Sequence, residues 1–214
     1  MFNMNSKGIR RKKSSLSEVK VAVIGARGVG KSALSVRFLT RRYIGEYDHQ
    51  SETRYKHEVL VDNEPVLYEI LDTCPKNEDD FPSPDTLNWA DGILLVYSIT
   101  DRRSFVHVKK VGTLLNDCDI PLYLAANKND MVHLRQVSAE EGTILARDLE
   151  CGFSEVTAAE QVGPVATVFQ DLCKAVLAAR RKSKHSLLER MLGAKTTNIK
   201  LYARGKSDSA LPKD

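Results

Sequence analysis

The apolar positions of this 214-residue chain fall in short blocks separated by charged stretches. Val19–Gly25 (VKVAVIG) is a largely apolar run ending in a glycine-rich turn, the pattern of a buried parallel strand. Lys31–Arg41 follows, with Ala33, Leu34, Val36, Phe38 and Leu39 predicting a short helix. His57–Val61 and Pro65–Leu71 predict a hairpin around Asp62-Asn63. Gly92–Ile99 and Pro121–Ala126 predict buried strands, and Gly152–Thr157 a shorter one. Helices are predicted over Ser104–Leu115, Ser138–Leu149 and Pro164–Arg180. The second of these opens with Ser138 and Glu141 three residues apart, a capping box. Asp72–Pro84 is charged and carries Pro75, Pro82 and Pro84, which predicts a loop, at least at its start. Strands alternate with helices, so the fold class is α/β with a mostly parallel sheet.

Composition narrows this picture. The chain is 42% hydrophobic and 28% charged, as in a globular domain with tails. No run approaches the roughly 18 apolar residues that a membrane span needs. The N-terminus lacks the apolar segment of a secretory signal. Cys74, Cys118, Cys151 and Cys173 are widely spaced with no metal-binding pattern, which fits reduced thiols of an intracellular protein. The net charge of +4 hides a segregation. Residues 1–18 carry five Lys/Arg against one Glu, and residues 180–214 carry ten against three Asp/Glu. A mildly acidic domain therefore lies between two basic tails. The expected organisation is a basic tail over 1–17, one domain over 18–181, and a basic tail over 182–214 with a short amphipathic helix.

Gly25-Ala26-Arg27-Gly28-Val29-Gly30-Lys31-Ser32 fits GxxxxGK followed by Ser or Thr, after a buried strand and at the start of a helix. Its glycines let backbone N–H groups, from Gly25 to Ala33, wrap a phosphate, and the helix N-terminus adds the positive end of its dipole. Lys31 would bridge β- and γ-phosphate oxygens, and the Ser32 hydroxyl would bind Mg²⁺. Asn127-Lys128-Asn129-Asp130 follows directly on a strand. A carboxylate at Asp130 can accept two hydrogen bonds from the N1–H and N2–H₂ edge of guanine, which adenine does not offer. Asn127 can bridge base and loop, and the Lys128 stem can lie along the base plane. Thr157-Ala158-Ala159, after the last strand, would offer N–H groups to the guanine O6.

In this order the motifs resemble the Ras superfamily of small GTPases over about residues 18–180. Val36–Tyr47, Glu69–Thr73, Trp89–Ile99 and Asp101–Phe105 are similar to the branch of the Ras-related estrogen-regulated growth inhibitor (RERG) and RERG-like proteins. The resemblance implies a P-loop G domain of six strands and five helices, GTP/GDP and Mg²⁺ as ligands, and a monomeric GTPase of signal transduction. It implies that Tyr43 stacks on the guanine edge and that Asp72 holds Mg²⁺ through water.

Four departures from that pattern bear on mechanism. Gln50 stands where the family has the Thr of its first switch, so Gln50, or Ser51 after a register shift, would have to complete the metal shell. Pro75 stands where a glycine N–H meets the γ-phosphate, and proline has no N–H. Lys76 replaces the glutamine that orients the attacking water; Asn77 could serve only if the loop shifts by one. Arg27 occupies a phosphate-loop position that is often glycine, as a built-in arginine finger, a block to a partner's finger, or a solvated side chain. Catalysis would rest on Lys31 and the altered Lys76 position.

These residues predict nucleotide binding with slow hydrolysis and a blunted switch. The alternative is a pseudo-GTPase, a nucleotide-stabilised module that recruits a partner with little turnover. A third reading is a polyanion-binding adaptor working through its tails. No Cys follows Cys173 and residue 2 is Phe, so no prenyl or myristoyl anchor is expected. Ser14 and Ser15 follow a basic run that suits a basophilic kinase. The expected placement is cytoplasmic, with nuclear or weak peripheral membrane association through the basic tails as alternatives, and no nucleic-acid partner. The sequence names no effector or regulator.

Overall fold

A computed structural model describes residues 16–43, 51–75, 77, 80–116 and 118–199, with side chains described as far as residue 185. Six strands form one sheet: β1 Ser17–Ile24, β2 Thr53–Val61, β3 Glu64–Asp72, β4 Gly92–Ser98, β5 Leu122–Asn127 and β6 Gly152–Glu155. The helices are α1 Lys31–Thr40, α2 Pro84–Trp89, α3 Arg102–Leu115, α4 Ala139–Asp148 and α5 Val162–Ile199. Strand order is β2-β3-β1-β4-β5-β6. Only β2 and β3 run antiparallel to each other; the other neighbours are parallel. The turn between β2 and β3 is Asp62-Asn63, both with positive φ, the twist a two-residue hairpin needs.

The expected elements are present, with edges set by strand pairing and by local caps. β2 begins at Thr53, four residues before the predicted start, because pairing with β3 continues to Thr53 opposite Asp72. α3 begins at Arg102 because the Asp101 carboxylate accepts the Arg103 N–H and caps the helix. The predicted loop after Asp72 ends in α2, which the Ser83 hydroxyl caps at the Thr86 N–H, with Pro84 in its first turn. The Ser138–Glu141 capping box is formed in both directions. A 3-10 turn over Asn129–Leu134 was not legible in the sequence.

Chain contacts define two units, residues 1–176 and 177–214. The second is helical as far as Ile199, so helix continues past the predicted tail boundary. Val162–His185 is long and apolar enough to cross a membrane by length and composition, which corrects the expectation that no such run exists. Its apolar stripe is nonetheless core: Val165, Phe169, Leu172 and Val176 are buried. On that side Phe169 stacks on Phe38 of α1 with ring centroids 4.4 Å apart, and the buried Tyr68 hydroxyl donates to the Phe169 carbonyl at 3.0 Å. The other sheet face packs Ile93, Leu95, Tyr97 and Leu124 against Phe105 and Val108 of α3 and Leu145 of α4.

Tyr68→Phe keeps the ring packing and removes only the hydroxyl bond. It should lower unfolding free energy by about 1 kcal/mol. Urea denaturation of the two proteins checks this, and an unchanged midpoint would show the bond to be neutral.

Candidate functional site

The phosphate loop joins the end of β1 to the start of α1, and its shape is enforced by contacts at two glycines. A Cβ on Gly25 would lie 2.1 Å from the Val96 carbonyl oxygen of β4. Gly30 has φ 93°, and a Cβ there would lie 2.3 Å from Asn127 Nδ2. Gly30 is the N-cap of α1 and gives it no side-chain cap. No acidic residue lies in its first turn. The first-turn N–H groups are thus available to an anion. Lys31 is buried, and its ammonium donates to the Gly25 and Ala26 carbonyls, both at 2.8 Å. Burial lowers its pKa to about 8, against the opposing pull of Asp72.

The base side is built from three separated segments. Asn127 is 2% exposed at the end of β5, and one amide N–H donates to the Val29 carbonyl at 2.8 Å. This bond ties the base motif to the phosphate loop across 98 residues. An amide carries two such donors, so one is left for a ligand acceptor. Lys128 adopts positive φ and turns the chain so that Asp130 points back; the Asp130 carboxylate accepts the Thr157 hydroxyl at 2.6 Å. Arg135 fixes the same loop through Glu155, at 2.6 and 2.8 Å, and through the Asn129 side chain at 3.2 Å.

These segments line one cavity of about 340 Å³. Of the predicted residues it gathers Arg27, Gly28, Gly30, Lys31, Ser32, Ala33, Tyr43, Asp72, Asn127, Lys128, Asp130, Thr157 and Ala158. Ser51, Pro75 and Ala159 also reach it. Gly25, Ala26 and Val29 stand behind this wall: the first two present carbonyls to Lys31, and Val29 is fully buried. Gln50 and Lys76 lie outside the described residues. Cys74, Thr73 and Met131 are lining residues that sequence reasoning missed. Asp72 is buried at the end of β3, and the next residue anchors the loop by a Thr73 hydroxyl bond to the Val23 carbonyl at 2.7 Å. Asn77 is tied back to Asp80, its N–H and side-chain amide donating to that carboxylate at 2.8 and 3.1 Å.

The donor set fits a phosphate-bound divalent cation. The Ser32 hydroxyl and the Asp72 carboxylate reach the same cavity as the uncapped α1 terminus. Among the described residues no cluster of three His, Cys, Asp or Glu could hold a metal. A site completed by phosphate oxygens and waters does not need one.

A strand–phosphate loop–helix unit, facing a strand-end base motif across a β2-β3-β1-β4-β5-β6 sheet, defines a Ras-like P-loop G domain. The sequence model of the Ras family matches residues 20–178. The Ras-related and estrogen-regulated growth inhibitor of Homo sapiens is 43% identical over 188 residues, which is 86% of this chain and 92% of that protein. Ras-like protein family member 11B of Danio rerio is 41% identical over 165 residues, 72% of this chain and 68% of that protein. GTP-binding protein Rit2 of Rattus norvegicus is 39% identical over 177 residues, 81% of this chain and 80% of that protein. The chain belongs to the Ras family of small GTPases, on the branch of the Ras-related and estrogen-regulated growth inhibitor.

Proposed function

We propose that this protein binds a guanine nucleotide with Mg²⁺ and acts as a signalling GTPase whose hydrolysis step is slow. The observation that carries the reading is that phosphate-loop, base-motif and Asp72 side chains line one cavity. Lys31 would trade its two loop carbonyls for phosphate oxygens, an exchange that favours its charged form. Asp130, oriented by Thr157, would select guanine. Ser32 and Asp72 would hold Mg²⁺, which supplies charge neutralisation to the phosphates when bound.

The loop after Asp72 supports slow turnover. Pro75 lines the cavity but has no N–H to give a γ-phosphate. Asn77 is engaged by Asp80, which weighs against its orienting a water. Fewer γ-phosphate contacts leave a smaller difference between GTP and GDP states, since a ligand shifts an equilibrium only by its differential affinity. Pro75 also favours the second reading, a nucleotide-stabilised binding module with little turnover. Cytoplasmic action and partners drawn from the effectors and regulators of signalling GTPases belong to this proposal.

A fluorescent GDP analogue tests the binding claim. The protein should hold it in Mg²⁺, and chelation of the metal should speed its release by about tenfold or more, equivalent to 1.4 kcal/mol. An unchanged release rate would remove Mg²⁺ from the reading, and no binding at all would remove the nucleotide.

A further inference from the structure

A second cavity, about 420 Å³, lies between the phosphate loop and the first turns of α3. That volume is in the range of ligand pockets, roughly 300–1,000 Å³. Its lining is strongly cationic: Arg27 from the loop, and Arg102, Arg103 and Lys110 from α3, with His107 beside them. Among the described residues the one carboxylate that lines it is Asp101, which accepts the Arg103 N–H as the helix cap. Arg102 pairs with Glu141 at 2.5 Å. Arg27 and Arg103 have no carboxylate within ion-pair distance among the described residues.

The helix end itself is not the attraction. The Arg102 N–H donates to Gln136 at 3.1 Å, and the Arg103 N–H to Asp101 at 2.9 Å. Recognition therefore falls to side chains. Arginine side chains lining one cavity match phosphate best, because each guanidinium offers a planar fork of donors to a dianion with three acceptor oxygens. One wall of this cavity is shared: Arg27 also lines the nucleotide cavity.

We propose that the cavity between the phosphate loop and α3 binds a phosphate-bearing ligand, and that Arg27 couples its occupancy to the nucleotide cavity. The source of the phosphate is a phosphorylated side chain of a partner protein or a soluble polyphosphate. An anion held there draws the Arg27 guanidinium away from the nucleotide phosphates and weakens their hold. The coupling half rests on the nucleotide reading above; the anion site does not.

The test uses the full chain loaded with GDP and Mg²⁺. Sodium tripolyphosphate and a phosphoserine peptide are titrated by calorimetry, with the unphosphorylated peptide as control. At least one phosphate probe should bind, and the Arg102→Ala, Arg103→Ala double variant should bind it roughly tenfold or more weakly. Arg103→Lys, which keeps charge without the fork, should fall between. Arg180→Ala, Arg181→Ala should leave binding unchanged; a loss confined to that variant would assign the anion to the basic tail and overturn the site. Binding of neither probe overturns it as well. Phosphopeptide binding alone points to a partner protein, and tripolyphosphate binding alone to a soluble ligand. Saturating probe should speed GDP release by roughly fivefold, and Arg27→Gly should abolish that acceleration. An equal acceleration in Arg27→Gly overturns the coupling. If GDP does not stay bound, the nucleotide reading fails, and the Arg102, Arg103 and tail variants still decide the anion site.

Discussion

Asp130→Asn is expected to turn a guanine binder into a xanthine binder. The carboxylate would accept from guanine N1–H and N2–H₂, two charge-assisted bonds. The amide keeps one acceptor and replaces the other with an N–H donor, which opposes the guanine amino group and suits the C2 carbonyl of xanthine. Thr157, whose hydroxyl now donates to the carboxylate at 2.6 Å, can equally donate to the amide oxygen, so the loop geometry survives. Losing one of these bonds and setting a donor against the guanine amino group should cost GDP at least about a hundredfold in affinity. Competition of GDP and XDP against a fluorescent analogue measures this. Full retention of GDP preference in the variant would mean that the base is read elsewhere.

The Pro75→Gly, Lys76→Gln double variant is expected to hydrolyse bound GTP faster than the natural chain, by roughly a hundredfold. Glycine restores an N–H donor where Pro75 lines the cavity. Glutamine restores a side chain that both accepts from and donates to water. Single-turnover conversion of GTP in Mg²⁺ gives the rates directly. Prompt conversion by the unmodified protein would mean that Arg27, Asn77 or a shifted loop performs the missing work. For Asn77 this would require release from Asp80.

The parts legible in the sequence were those decided within a few residues. The strand–glycine turn–helix order at Val19–Thr40 announces a phosphate loop, because the glycine spacing falls between a buried strand and a helix and the periodicity switches on either side. The Asp62-Asn63 turn and the Ser138–Glu141 box are equally local. Asn127-Lys128-Asn129-Asp130 was legible as a motif at a strand end, and Tyr43 and Asp72 through the family resemblance.

The sequence alone determined the fold class, the phosphate loop, the base motif and the missing N–H at Pro75, since each follows from residue chemistry at known spacing. Tertiary structure decided what joins them. Asn127 reaches Val29 because β1 and β5 both run parallel to β4 and finish at the same end of the sheet, a result of strand order that no local pattern encodes. Thr157 orients Asp130, and Arg135 grips Glu155, because β6 lies beside β5 in parallel register. Arg27 was one cation in a loop until the packing of α3 gave it a second cavity to face. The physical reason is common to all four. Local order is set by backbone sterics and side-chain periodicity, whereas these contacts depend on which distant strands and helices share buried surface.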